Sequence, residues 1–326
     1  MTSKRARFTT AVVLSVLALT ASAQNFPTAP IKIVVPSGAG GIIDPLARFL
    51  QDHFLKVWGQ PVVIDHKPGA GGALGTQIVQ KAPADGYTLL MANSGPLMWN
   101  PAINPQLPYV MERDFIPVGT LVSVTNLVVV HSSVPANTLK EFIELAKKSP
   151  GTLNYASPGI GQSSHLAGEM LKRVAGIDIV HVPFNGGPAS LNGLLGGQVQ
   201  LMTSNIGTAM PHVKSGKLRA LAIPDVRRSA TMPDVPTTAE AGVPGFLISP
   251  YIWVAAPAGT PEAIVTRLHE EMKKGWATSE GRQVLQRFEM NMDEENNRSV
   301  VNLTRHLAAE NTKWSKLIKE ANIKQD

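Results

Sequence analysis

No cysteine occurs anywhere in the 326 residues. Disulfide staples and lipid attachment through a mature N-terminal cysteine are therefore excluded, and a packed core must hold the fold. Beyond residue 23 no run of eighteen consecutive apolar residues exists, so no ordinary membrane span is written into the later chain. Metal chemistry lacks its usual marks. There is no His-Glu-x-x-His, and His53, His66, His131, His165, His181, His212, His269 and His306 are scattered along the chain. A Gly-x-Ser-x-Gly nucleophile elbow is missing too. Gly38-Ala39-Gly40 is followed by Gly41 and Ile42, with Ile43 where a dinucleotide fingerprint needs its third glycine. Gly69-Ala70-Gly71-Gly72 fails the same test, and neither loop carries the Lys-Ser or Lys-Thr pair of a phosphate loop. No catalytic residue, cofactor or metal is expected.

What is present begins with a targeting segment. Lys4, Arg5 and Arg7 precede the apolar stretch Ala11 to Leu19, and Ala21-Ser22-Ala23 offers a small-x-small cleavage site before Gln24. Residues 1–23 read as a secretory signal peptide, which implies export from the cytoplasm. Its removal takes three cations and no anion, so the formal charge falls from +6 to +3. That residue is no argument for nucleic acid, although a mildly positive cleft gathers anions.

The chain is organised around residues 31–48. Ile31, Ile33, Val34 and Val35 form a β-branched run, Pro36 to Gly41 breaks it, and a helix over residues 44–58 follows with Leu46, Phe49, Leu50 and Phe54 on its apolar face. Gly38, Gly40 and Gly41 let backbone approach a ligand, and the first-turn N–H groups of the helix lack internal partners. The loop is thus either a glycine turn without a ligand or an anion cradle, suited to a carboxylate. Strands at 61–65 and 87–91 and a helix through Val79 continue a strand–helix–strand pattern, which argues for a parallel α/β domain. The turn at 68–72 reads as structural, and residues 100–119 as irregular.

Leu121 to His131 is the next apolar run, followed by a helix at 139–148 and a short strand at 154–156. Ser157 to His165 then repeats the opening architecture: strand, two glycines, polar side chains, helix. Strands at 178–182, 199–203 and 217–223, a helix at 189–195, an exposed connection at 224–246, a strand at 248–256 and helices at 261–280 and 299–319 complete the chain. Asp44 either caps its helix or turns waters and ligand donors, since direct contact with an ionised carboxylate would be repulsive. His165 and Ser163 are each either helix-start hydrogen bonders or ligand contacts. Trp99, Phe184, Tyr251 and Trp253 are either core or ligand wall.

At this point the segments "IKIVVPSGAGGIIDPLAR", "VVIDHKPGAGGALG", "ADGYTLL", "INPQLPYVMERDFIPV", "GTLNYASPGIGQSSHLAGE", "HVPFNGGPASLNGLLGGQVQLM", "PHVKSGKLRALAI" and "MPDVPTTAEAGVPGF" carry a resemblance. In order and across almost the whole mature chain, they resemble the periplasmic solute-binding receptors of tripartite tricarboxylate transporters, the Bug-type family. The resemblance implies an α/β type II periplasmic binding protein fold of two lobes joined by crossover strands, with a ligand cleft between them. Lobe one would hold residues 24–125 plus 250–326, and lobe two residues 126–249. It further implies a carboxylate held between two facing glycine loops, here Ser37 to Asp44 and Ser157 to His165. The ligand-binding set so implied comprises Ser37, Gly38, Ala39, Gly40, Gly41 and Asp44 on one side. Ser157, Gly159, Gly161, Gln162, Ser163 and His165 supply the other, with Ser94, Phe184, Asn185 and Asn205 at strand ends.

Three departures bear on the ligand. The family usually has threonine at Gln162, tyrosine followed by a cation at Phe184-Asn185, and aspartate at Gln200 and Ser204. Loss of charge there points toward an aromatic or otherwise less polar carboxylate, an aromatic or other dicarboxylate among them. The implied partners are that small organic carboxylate and two integral-membrane permease subunits, with no nucleic acid and a monomeric chain. Two other classes stay open: a ligand-binding accessory of a two-component sensor, and a carboxylate-processing enzyme.

Overall fold

The computed structural model describes residues 26–324. The signal peptide at 1–23 lies outside the described residues. Two sheets organise the chain, each with helices on its faces. The first has the strand order β11-β4-β10-β3-β1-β2, built from β1 (Ile31–Val35), β2 (Val62–His66), β3 (Thr88–Asn93), β4 (Phe115–Val124), β10 (Tyr251–Pro257) and β11 (Met290–Met292). The second is β7-β6-β8-β5-β9, from β5 (Asn126–His131), β6 (Asn154–Ser157), β7 (Val180–Pro183), β8 (Leu201–Asn205) and β9 (Leu218–Ala222). In the first sheet β1 pairs parallel with β2 and β3, while β10 runs antiparallel between β3 and β4. In the second, β6 pairs parallel with β7 and β8, and β5 runs antiparallel between β8 and β9.

The opening segment folds as its pattern dictates. β1 is buried at four of five positions, as a strand covered on both faces must be. The helix Asp44–Trp58 starts on Pro45, buries Leu46, Ala47, Leu50 and Phe54, and ends at Gly59, whose left-handed φ of 66° lets its N–H reach Leu55 O at 2.9 Å. Leu50 is fully buried, so Leu50→Ala costs about 2–5 kcal/mol. The other face of the same sheet packs Trp99, Trp253 and Trp314, with the Trp99 and Trp314 rings 5.1 Å apart.

Three expectations change. The continuous run at 121–131 is two strands in different sheets, since β4 ends at Val124, β5 starts at Asn126, and only Thr125 lies between. Residues 224–246 are not simply exposed. Ser229, Thr237, Thr238, Val243 and Phe246 are buried, Thr237 bridges to Ile223, and Thr238 Oγ1 donates to Phe246 O at 2.6 Å. The stretch at 100–119 contains short helices at Asn100–Ile103 and Met111–Asp114 and half of β4. The helix Ile206–Lys214, which holds Pro211 internally, and β11 were not legible in the pattern.

Candidate functional site

Between the sheets, at the carboxyl ends of their parallel strands, lies a cavity of about 650 Å³, within the range of small-molecule sites. Pro36 to Ile43 follow β1, Pro68 to Gly72 follow β2, and Asn93 closes β3. From the second sheet come Pro158 to Ser164 after β6, Phe184 to Pro188 after β7, and Ser204, Asn205 and Thr208 after β8. Five helices therefore begin at or just behind the wall of one space, starting at Asp44, Ala73, Ser163, Gly187 and Ile206. Each N-terminus carries about +0.5 of an elementary charge, offset at the first helix by the Asp44 carboxylate in its first turn, so the positive potential on the wall comes from helix ends and not from any cationic side chain. No lining residue is Asp, Glu, Lys, Arg or His, whereas seven are asparagine and one is glutamine. Ile103, Leu107, Leu191, Met202 and Ile252 add apolar wall. An ionised ligand here is held by dipoles and hydrogen bonds, not by an ion pair.

The loops interdigitate across the space, and both glycine loops implied by the family resemblance border the same cavity. Loop 37–41 faces 185–188: a methyl group on Gly186 would sit 3.6 Å from Gly38 N, and one on Gly40 would sit 3.5 Å from Pro188 Cγ. Loop 159–162 instead docks on 69–72 and on the segment after β3. Gln162 Nε2 donates to Gly71 O at 2.8 Å, and Gln162 Oε1 accepts from Asn93 Nδ2 at 2.9 Å. Asn100 Nδ2 also donates to Gly71 O, at 2.9 Å. Gln162 thus ties one sheet's loop to the other's through both ends of its amide.

Ten of the sixteen residues expected at the site line the cavity: Ser37, Gly38, Gly40, Gly41, Gly159, Gln162, Ser163, Phe184, Asn185 and Asn205. The other six do not line it. Asp44 Oδ2 accepts from Gly40 N–H at 2.6 Å, and Asp44 Oδ1 stands 3.6 Å from His66 Nε2. His66 Nδ1 donates to Ser37 O at 3.1 Å, so the carboxylate and the imidazole brace the loop from behind. Asp44 itself borders an adjoining hollow with Arg48, Asp52 and His53, which shares Gly40, Gly41, Ile42 and Thr208 with the cavity. Ala39 is exposed at the loop tip. Ser94 Oγ accepts from Tyr251 N–H at 2.9 Å. Ser157 Oγ sits 2.6 Å from His181 Nε2 and donates to Gly159 O at 3.0 Å. Gly161 packs against Asn100, and its N–H donates to His165 Nδ1 at 3.1 Å. His165 is fully buried, its ring 4.4 Å from that of His181. These groups shape the cradle and do not face the cavity. Of the four aromatics, only Phe184 lines it; Trp99 and Trp253 are core, and Tyr251 packs edge-on against His306 at 5.1 Å.

The sequence pattern missed loop 68–72 as a lining element, and also Asn100, Asn104, Asn126 and Asn192. One signal was there to be read: Asn205 three residues before Thr208 is an N-cap spacing, and Asn205 Oδ1 accepts from Thr208 N–H at 3.2 Å. Among the described residues no group of three His, Cys, Asp or Glu is placed to hold a metal ion, and no helix is long and apolar enough to cross a membrane.

The chain is similar to known proteins over most of its length. Protein BugT of Bordetella pertussis is 36% identical over 259 residues, covering 79% of this chain and 79% of its own. MatC from Rhodopseudomonas palustris, solved with bound malate, superposes with a TM-score of 0.85 at 33% identity, over 90% of this chain and all of its own. An R. palustris protein solved with adipate gives 0.86 at 32% identity, over 91% and 98%. The fold is that of two-lobed periplasmic binding proteins. The model of the tripartite tricarboxylate transporter family receptors matches residues 46–323, and the chain belongs to that family of solute-binding receptors.

Proposed function

We propose that this chain is a periplasmic, non-catalytic receptor that closes two lobes around a small carboxylate and delivers it to a tripartite tricarboxylate-type transporter. Its partners on this reading are two integral-membrane subunits, and the receptor itself is a monomer. Residues 24–125 with 250–326 form one lobe and 126–249 the other, which agrees with the chain changing sheets at Thr125 and returning before β10. The observation that carries the reading is the cavity ringed by five helix N-termini with no acidic side chain on its wall.

Desolvating a carboxylate costs several kcal/mol. Hydrogen bonds to a charged group return about 1.5–3 kcal/mol each, so two or three oriented N–H donors offset that cost. The malate and adipate bound to the two R. palustris relatives are both dicarboxylates, and Phe184 adds a flat apolar surface here. An aromatic or other dicarboxylate is therefore the favoured ligand.

The test is a thermal-shift screen of the mature protein, unfolded and refolded to strip trapped solute, against aliphatic, hydroxylated and aromatic mono-, di- and tricarboxylates. A true ligand at a hundred times its Kd stabilises by about 2.7 kcal/mol and is recovered chemically unchanged. If no carboxylate raises the melting temperature, the reading fails.

A further inference from the structure

One glycine beside the cavity has no backbone reason to be there. Gly193 is buried in the helix Gly187–Leu195, and its φ is not left-handed. Alanine favours such a helix over glycine, so the local chain gives no account of the residue. Its neighbour does. A methyl group on Gly193 would overlap Phe184 Cζ and come within 2.7 Å of Cε1 and 3.2 Å of Cε2. The far end of the Phe184 ring therefore lies against bare helix backbone, in the space that a side chain at 193 would fill.

Phe184 lines the cavity, whereas Gly193 does not. The main chain at Phe184 is pinned, because its N–H donates to Ser157 O at 2.9 Å and its carbonyl accepts from Gly186 N–H at 3.0 Å. Any adjustment falls to the ring. That ring packs on the core cluster that contains Leu127, Leu191, Leu194 and Met202, so its open side is the cavity.

We infer that Gly193 is a specificity-determining residue: the seat it leaves keeps the Phe184 ring drawn back against the helix, and the space so freed admits acids with a broad body, a ring or a branched chain. This rests on the carboxylate reading above and concerns the shape the cavity accepts, not the carboxylate itself. Carbon atoms pack at about 3.5–4.0 Å, so a side chain at 193 forces the ring end to retreat by about 1 Å or more, toward the space a broad ligand would use.

The experiment uses two aromatic acids, terephthalate and 3-phenylpropionate, and two slim ones, succinate and adipate, in titration calorimetry on the mature protein. Gly193→Ala should weaken the better-bound aromatic acid about tenfold or more relative to the better-bound slim acid, the scale of a misplaced carbon in an apolar pocket. Its crystal structure should show the Phe184 ring turned into the cavity with the main chain at 184 in place. Phe184→Leu removes the ring end, so adding Gly193→Ala to it should leave that affinity ratio within about threefold of Phe184→Leu alone. A folded Gly193→Ala with the wild-type ratio overturns the inference. So does a wild type that binds slim acids and neither aromatic one, or a loss that persists in the double variant. If Gly193→Ala alone does not fold, recovery of the fold in the double variant supports the seat and its absence overturns it. Binding of none of the four probes, with no other carboxylate bound in the thermal screen, overturns the carboxylate reading itself.

Discussion

Gly71→Ala should disable closure without unfolding either lobe. Gly71 has φ 61° and ψ 24°, a left-handed conformation that costs alanine about 1–2 kcal/mol. More importantly, an added Cβ would overlap the carbonyl oxygen of Ile160 on the opposing loop and come within 2.9 Å of Asn100 Nδ2. A carbon–oxygen contact needs about 3.3 Å, so the two loops must separate by about 1 Å. At that separation the bonds from Gln162 Nε2 to Gly71 O and from Asn93 Nδ2 to Gln162 Oε1, now 2.8 and 2.9 Å, are stretched beyond hydrogen-bond range. Two such bonds are worth about 1–3 kcal/mol together. Since 1.4 kcal/mol is tenfold in affinity, the ligand should bind about 5- to 150-fold more weakly. Titration calorimetry on the mature protein reads the loss, and small-angle scattering with saturating ligand should show a larger radius of gyration than wild type. Ile160→Gly should not rescue it, because the obstructing atom belongs to the main chain. A Gly71→Ala protein that binds within twofold of wild type would show that the two loops do not meet in the bound receptor.

Two further outcomes follow from the same geometry and from one shifted group. Gln162→Ala removes both cross-cleft bonds but no group shown to be free for a ligand, so it should weaken every carboxylate by a similar factor of about 5 to 150. A changed rank order across three ligands would make Gln162 a ligand contact instead of a latch. Burial, reinforced by the carboxylates of Glu310, Asp293 and Asp225, pushes the Tyr251 phenol up to about 12 from 10.0. The unfolded chain therefore releases this proton first, and stability is kept up to about pH 10 and declines toward pH 12. Urea midpoints at pH 9 and pH 11.5 should fall further apart in wild type than in Tyr251→Phe; equal falls would refute the assignment.

What the sequence revealed and what it hid divide along one line. The strand–loop–helix at 31–58 was legible because all its signals are local: a β-branched run, glycines, Pro45 at the helix start, Gly59 at its end. Leu121 to His131 was not, because both halves are apolar and buried. Only the distant partners β10 and β11 on one side, and β8 and β9 on the other, decide that the chain changes sheets at Thr125. Loop 68–72 looked like a plain turn for a related reason. Glycine at 71 is demanded by Ile160 O, an atom 89 positions away that no local pattern announces. Asn126 was invisible at the head of its apolar run, since its place on the cavity wall is decided only when the second sheet is assembled.

The division of donors between the sheets explains why a receptor would forgo arginine or lysine in its cleft. The helices at Asp44 and Ala73 belong with the first sheet; those at Ser163, Gly187 and Ile206 belong with the second. A lysine on either wall would hold an anion whether the cleft were open or shut, and a ligand that binds both states equally shifts nothing. Helix ends act only at contact range, falling off within a turn, so each lobe alone offers two or three partial charges and the shut cleft offers all five. On the proposed reading, the anion's preference for the shut cleft follows from that difference, and so does its loss of hold when the lobes part. Gln162 adds closure energy that is independent of the ligand, which raises affinity for every acid and leaves discrimination to the rest of the cavity wall.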